Sequence, residues 1–417
     1  MTVFTKRRLG IMSAIVLATC LVAPQSAIAV EKSGGSMAMT DGTSLLEQSN
    51  AEAEDLESVL VAPDNPATDP AGPVCTGSDA GGASFCVSTS KISGSESTSP
   101  TARSIQPLPT FCRADTSGLY VAKRTQACIV KLYTIEKRVT TNGATRVVGT
   151  ATQTVYHFEY TNYTIATVGS QIGFSVPTIK GDVSGATFTA ESRCRYSCIQ
   201  TTPGAITSTS LTGMTTWKEA EAFSEPNTKA VGSNVNVEPS WQFEYLFPES
   251  YAGFGTDGMY ARCDNQAGGK YPKPGCVFPS APGRLTYSTA ANPELARHIS
   301  RALASGLPGA DPMKPLTRIT DQAWIDSNRN TVCGKPVVVE GKSCDEYPFA
   351  STEQGGGTPL RTFSGCAFTD PAQTGEIGAS HCMINALQNS SGGGILGNTY
   401  RQQRILNFDV FVVAIVP

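Results

Sequence analysis

The sequence predicts a disulfide-stapled antiparallel β domain followed by a small α+β domain, in a chain built for export. Three observations carry this. The 417 residues include 40 Gly, 26 Pro and 13 Cys with 16% charged residues, a composition that suits a loop-rich β protein of an oxidising compartment. The N-terminus has the order of a secretory signal. The apolar pattern changes from strand-like alternation to helical spacing near residue 290.

The signal occupies residues 1–29. Lys6-Arg7-Arg8 is the basic start, Leu9 to Ala23 is mostly apolar, and Ala27-Ile28-Ala29 is a small-x-small site with cleavage expected after Ala29. The apolar run is shorter than the roughly 20 residues of a membrane span. The mature protein is therefore expected to be secreted and extracellular, with no membrane attachment after cleavage.

Cys20 leaves with the signal. Cys75, Cys86, Cys112, Cys128, Cys194, Cys198, Cys263, Cys276, Cys333, Cys344, Cys366 and Cys382 remain, an even set that predicts disulfides. Zinc fits poorly, because the chain has three histidines and no paired Cys-x-x-Cys units. The formal charge of -3 carries no polyelectrolyte signature, so any affinity for a polyanion must come from a local patch.

Residues 30–105 form the leader. They are rich in Ser, Gly, Ala, Pro and Thr, and hold eleven acidic against three basic residues. Such a stretch buries too little apolar surface to offset its ordering entropy, and it is expected to be largely disordered. A short helix is expected between Leu45 and Leu60, and Cys75 and Cys86 can close a small loop.

Residues 106–288 read as the β domain, a sandwich or barrel of unassigned role. Segments 118–121, 127–134, 146–152, 154–160, 171–176, 186–191 and 240–246 are rich in β-branched and aromatic residues. Asn142-Gly143 between two of them is a type I′ hairpin signal. His157 alternates within a strand and reads as a packing or surface residue. Pro248 to Pro282 is loop-like.

Residues 289–417 form the α+β domain. Asn292-Pro293-Glu294 opens a helix, Leu295, Ile299, Ala302 and Leu303 give it an apolar stripe, and Gly306 ends it. A second helix fits 321–331. The apolar run Phe408 to Val416 is the expected central strand.

Chemistry concentrates in Lys342 to Gly357, which holds Asp345, Glu346 and Glu353 together with a glycine run. Adjacent carboxylates point in different directions, so one can hold a hard divalent cation while the other acts as a base or orienting group. A metal, a base for water and a cation for developing charge are what phosphodiester hydrolysis requires.

Cys344-Asp-Glu-Tyr-Pro-Phe-Ala-Ser-Thr352 and the glycines after it resemble the core motif of the NucA/NucB family of secreted bacterial deoxyribonucleases. Three further segments follow the family's order: the helix 296–306, the Arg-bearing segment 325–333, and Asn389 to Asn398 with the terminal strand after Arg404. The resemblance covers 293–417. It implies a small α+β nuclease domain that cuts DNA outside the cell with a divalent metal (Mg, Mn or Ca). Carried over by position, Asp345 is the catalytic acidic residue, the general base that activates water, and a metal ligand. Glu346 is a ligand or orienting group, and Asn389 and Asn398 fall on the family's catalytic polar positions, one of them holding the metal or the scissile phosphate. Arg361 grips phosphate, and Glu353 is within reach of the metal. Arg297, Arg301, Arg329, Arg361, Arg401 and Arg404 are the candidates for a DNA-binding face, with Arg329, Arg361 and Arg404 placed nearest the substrate. Ten basic against eleven acidic residues in 293–417 imply non-specific, salt-sensitive binding. His298 reads as packing. His381, beside Cys382, reads as structural or surface.

The implied function is a secreted metal-dependent endonuclease of little sequence specificity. The alternatives are an extracellular binding or surface protein with a degenerate nuclease domain, and a nuclease toxin against competitors. The β domain is a candidate for intramolecular contact with the nuclease, including inhibition of it until proteolysis.

Overall fold

Two long antiparallel sheets occupy most of the computed structural model, which describes residues 42–53, 58–61, 72–90, 105, 108–112, 119–266, 273–334 and 337–417. The signal-peptide expectation lies outside these residues.

The first sheet contains β1 (Val59–Val61), β2 (Val74–Cys75), β3 (Ala83–Ser90), β4 (Tyr120–Lys123), β5 (Gln126–Thr141), β6 (Ala144–Asn162), β7 (Ile165–Phe174) and β8 (Thr178–Gly181). The second is opened by β9 (Thr187–Tyr196). β10 (Cys198–Thr202) returns to the first, β11 (Ala205–Ser210) pairs with β9, and β12 (Lys218–Pro226) completes the first beside β7. β13 (Asn234–Phe247), β14 (Ser250–Asp257), β15 (Ala261–Asp264) and β16 (Gly275–Val277) complete the second.

Local chemistry explains the longest hairpin. Asn142 and Gly143 take φ of 52° and 79°, as a type I′ turn requires, and Thr141 faces Ala144 across it. Tyr133, Ile172 and Phe174 of one sheet meet Phe188, Trp241, Phe243 and Tyr245 of the other in the main core. Each fully buried aromatic of this kind contributes about 2–3 kcal/mol. Gly169 and Gly173 sit opposite Tyr160 and Tyr156, and a Cβ at either glycine would lie within 2.3 Å of the facing ring. The glycines let the rings lie flat on the sheet. His157 is a packing residue, bonded to Tyr120 Oη at 3.0 Å and Ser170 Oγ at 2.8 Å within the core.

The leader expectation needs correction for its described residues. Helix α1 (Gly42–Ala53) buries Leu45 and Leu46 against Tyr156, Phe158 and Tyr160, and Ser49 Oγ bonds Thr125 O at 3.1 Å. β3 pairs with β5 along its length. The long β5–β6 ribbon supplies the apolar surface that the acidic segment lacks on its own.

The C-terminal part begins before residue 289. β17 (Gly283–Ser288) lies parallel to the last strand, whose other neighbour is β18 (Leu316–Thr317). Helix α2 (Pro293–Ala304) follows β17, with Pro293 in its first turn; the Asn292 side chain makes no cap bond. Helix α3 (Gln322–Cys333) is capped by Asp321, which accepts from Trp324 N at 2.8 Å. A second small sheet has the order β19 (Lys342–Tyr347), β21 (Ala379–Asn385), β20 (Leu360–Arg361). Helix α4 (Ala386–Gln402) and β22 (Val410–Val416) end the chain. Leu285, Tyr287, Leu295, Ile299, Tyr347, Tyr400 and Phe411 form their shared core.

Among the described residues six disulfides join consecutive cysteines: 75–86, 112–128, 194–198, 263–276, 333–344 and 366–382. Among the described residues no helix is long and apolar enough to cross a membrane.

The expected β and α+β parts belong to one compact unit, Met39–Pro417. A buried ionic cluster joins them. Arg404 Nη2 reaches Asp264 Oδ1 at 2.6 Å, and its Nη1 donates to Tyr163 O and Lys273 O. Arg124 donates to Arg404 O at 2.8 Å and Ala281 O at 3.0 Å, and it pairs with Asp409. Arg262 Nη1 takes the other oxygen of Asp409 at 2.5 Å. Burial works to raise the Asp409 carboxyl, but the Arg124 and Arg262 charges outweigh it and hold the group below its ordinary range.

Candidate active site

β19 is the edge strand of its sheet, and its two faces look onto different helices. Glu346 lies opposite His381, and Asp345 lies opposite Cys382. The disulfide Cys333–Cys344 ties the end of α3 to this strand one residue before Asp345. The N-terminal half of α4 approaches from the other side, where Asn389 Nδ2 donates to Cys344 O at 2.9 Å and Ser343 Oγ at 3.0 Å. Both bonds use the amide nitrogen, which leaves Oδ1 as that side chain's acceptor.

Between these elements lies a pocket of about 270 Å³ whose lining includes Asp345, Glu346, Arg329, Asn389, Tyr287 and Gly393. Among the described residues its lining falls between Tyr287 and Leu396.

The electrostatics are uneven. Glu346 is pushed up to about 7, first by burial and then by the Asp345 charge, against the opposing pull of Arg329 and an Ala350 N–H bond. Asp345 is 6% exposed, and its Oδ2 lies 2.6 Å from His298 Nδ1. Arg329 is half exposed and pairs loosely with Asp326 at 3.2 Å. Two adjacent carboxylates, an amide oxygen and a solvent-facing guanidinium thus share one cleft. That set can hold a hard cation, activate water and meet a phosphate.

The other four expected site residues lie elsewhere. Arg361 is 1% exposed and donates to Ser305 O at 3.2 Å, Ser305 Oγ at 3.1 Å, Gly375 O at 3.1 Å and Ile377 O. It fastens the loop before β21 and is closed to phosphate. Arg404 is 2% exposed, and its guanidinium is consumed at the junction with Asp264. Asn398 is exposed and paired with Arg401; nine residues after Asn389 on the same helix place it about 14 Å along the axis. Glu353 is exposed and does not line the pocket; its N–H bonds Thr317 O at 2.9 Å.

His298 was read from the sequence as packing, yet it contacts Asp345 directly. Its place on the buried side of α2 carries no local mark that separates it from a core residue. His381 is structural: it stacks on Phe368 and bonds Val332 O at 2.9 Å and Asp370 Oδ2 at 2.8 Å. Among the described residues no group of three or more His, Cys, Asp or Glu side chains converges to hold a metal ion.

Residues 317–414 match the family described as Deoxyribonuclease NucA/NucB. The match spans β18 to β22 and includes Arg329, Asp345, Glu346 and Asn389; α2 with His298 precedes it. Neither the curated proteins nor the solved structures include a match to the chain.

Proposed function

We propose that this protein is a secreted, metal-dependent endonuclease that hydrolyses DNA phosphodiester bonds with little sequence specificity. The nuclease family match of residues 317–414 supports a nuclease reaction. The observation that carries the reading is the gathering of Asp345, Glu346, Asn389 and Arg329 in one pocket, with Asp345 braced from behind by His298.

The donor set fits a hard divalent cation of the Mg²⁺ type. Such an ion uses one or two carboxylates and completes its shell with water and substrate phosphate, so a protein cage of three acids is not needed. Glu346 and Asn389 Oδ1 would hold it, which leaves the pocket-facing oxygen of Asp345 for the water. When bound it supplies Lewis-acid polarisation of the phosphate.

The chain's own residues do the rest. Asp345 takes the proton of the attacking water. Arg329, at the open side of the pocket, meets a phosphate oxygen with its planar fork. These are contacts to backbone phosphate, which carries no sequence information. Low specificity and loss of binding with salt follow. The six disulfides suit an extracellular setting.

The test is plasmid cutting by the oxidised mature chain, with Mg²⁺, Mn²⁺ or Ca²⁺ and with EDTA, beside Asp345→Asn. Cutting should require metal and fall by roughly 10²–10⁴-fold in the variant, the scale of losing a general base. Cutting that survives EDTA and the variant alike would remove the proposal.

A further inference from the structure

We propose that His298 is a positioning residue that aims Asp345 into the pocket. The inference rests on the reading of Asp345 as the base. His298 does not line the pocket, is 1% exposed, and lies outside the segment that matches the nuclease family. A purely packing histidine would turn its nitrogens to whatever is nearby. This one is held between two partners with different roles.

Nδ1 stands 2.6 Å from Asp345 Oδ2, and Nε2 stands 3.0 Å from Ser380 Oγ. An ionised carboxylate only accepts hydrogen bonds, so the Asp345 contact places a proton on Nδ1. Ser380 holds the far side of the ring. It lies opposite Tyr347 in the β19–β21 ladder, two residues beyond Asp345, and its Oγ is 3.4 Å from Tyr347 O. The imidazole therefore spans from the base back to the strand that carries it, and rotation would break both bonds.

Leu295, Ile299 and Ala302 bury the same helix in the core, so the ring rests on a rigid element. The effect is to tie Oδ2 inward and leave Oδ1 as the oxygen for the pocket. This is how a third group orients a base, and it fixes direction without touching substrate.

The experiment compares steady-state DNA hydrolysis by the oxidised full-length mature chain with His298→Ala, His298→Asn, Asp345→Asn and the His298→Ala/Asp345→Asn pair. His298→Ala should lower kcat about 10–100-fold, with KM within about twofold of the parent. His298→Asn, whose amide N–H can stand where Nδ1–H stood, should recover much of the loss. The pair should be no slower than Asp345→Asn alone. Parental kcat in His298→Ala, or His298→Asn as slow as His298→Ala, overturns the inference. A failure of the underlying reading shows separately, as an Asp345→Asn chain that still cuts.

Should the alanine variant not fold, NMR of the parent protein decides. A slowly exchanging proton on Nδ1 of His298 that shifts in Asp345→Asn is expected. A proton on Nε2 alone overturns the proposal.

Discussion

Two clusters of arginine and carboxylate sit at opposite ends of α4, and they are built to opposite rules. At the junction with the β part, Arg404, Arg124 and Arg262 share Asp264 and Asp409, and nearby carbonyls take the remaining guanidinium hydrogens. The net effect there is an Asp409 held below its ordinary range. At the pocket, Asp345 and Glu346 crowd together, Glu346 is pushed up to about 7, and Arg329 stays half exposed. Charges that satisfy one another maintain structure. Charges left in tension are available to a metal, a water or a phosphate.

The largest expected effect separates the two clusters. Arg404→Ala leaves Asp264 buried without its closest cation and should cost about 3–5 kcal/mol of stability. Cutting per folded molecule should be unchanged. Arg329→Ala should do the reverse: a melting temperature near the parent's, because the pair it loses is exposed, and DNA cutting down by about tenfold from the lost phosphate contact. Urea denaturation and initial cutting rates measured on both variants give the answer. If Arg404→Ala is stable and inactive, the assignment of the two clusters is inverted.

Arg404, Arg361 and Arg329 look alike in the sequence, and only one of them reaches the pocket. The reason is distance along the chain. Asp264 lies 140 residues before Arg404, and nothing near Arg404 announces it. Arg361 is enclosed by carbonyls of Ser305, Gly375 and Ile377, none of which a local pattern reveals. The packing reading of His298 agrees with its burial, and its contact with Asp345, 47 residues away, is hidden for the same cause. β17 closes a parallel pair with a strand at the far end of the chain, and it looked like the tail of the β part. What was legible was local. Asn142-Gly143 makes its own turn, Asp321 caps its own helix, and Asp345, Glu346 and Asn389 belong to one strand and the helix that crosses it. The leader shows the limit from the other side: its composition predicts disorder, while the surface its described residues dock on belongs to β5 and β6.

A smaller effect tests the tension at the pocket. Glu346 has a folded value raised to about 7, so its ionised form destabilises the fold without metal. The sign follows from the raise: stability is fullest below the unfolded carboxyl range and declines as pH rises toward and through 7. Glu346→Gln should therefore raise metal-free stability at pH 8 by about 1–3 kcal/mol, and should also abolish metal-dependent cutting. Thermal melts at pH 5 and pH 8 in EDTA check it, since the gain should shrink at the lower pH. An equal gain at both values would assign the effect to packing.

The smallest expected effect lies in α4, where three consecutive glycines have different reasons to be there. A Cβ at Gly392 would meet Leu295 Cδ2 at 2.4 Å, so a larger residue there must displace the Leu295 side chain of α2. At Gly393 and Gly394 a Cβ meets nothing within 4 Å. A glycine inside a helix costs about 1 kcal/mol against alanine, and no packing demand offsets that cost at either position. Gly393 lines the pocket and Gly394 does not. Both alanine variants should gain up to about 1 kcal/mol in stability. Gly393→Ala should cut DNA several-fold more slowly, chiefly through KM, because the added methyl would stand in the pocket proposed to take the substrate; Gly394→Ala should cut at the parent rate. If both variants gain stability and both keep full cutting, Gly393 is no part of the substrate surface.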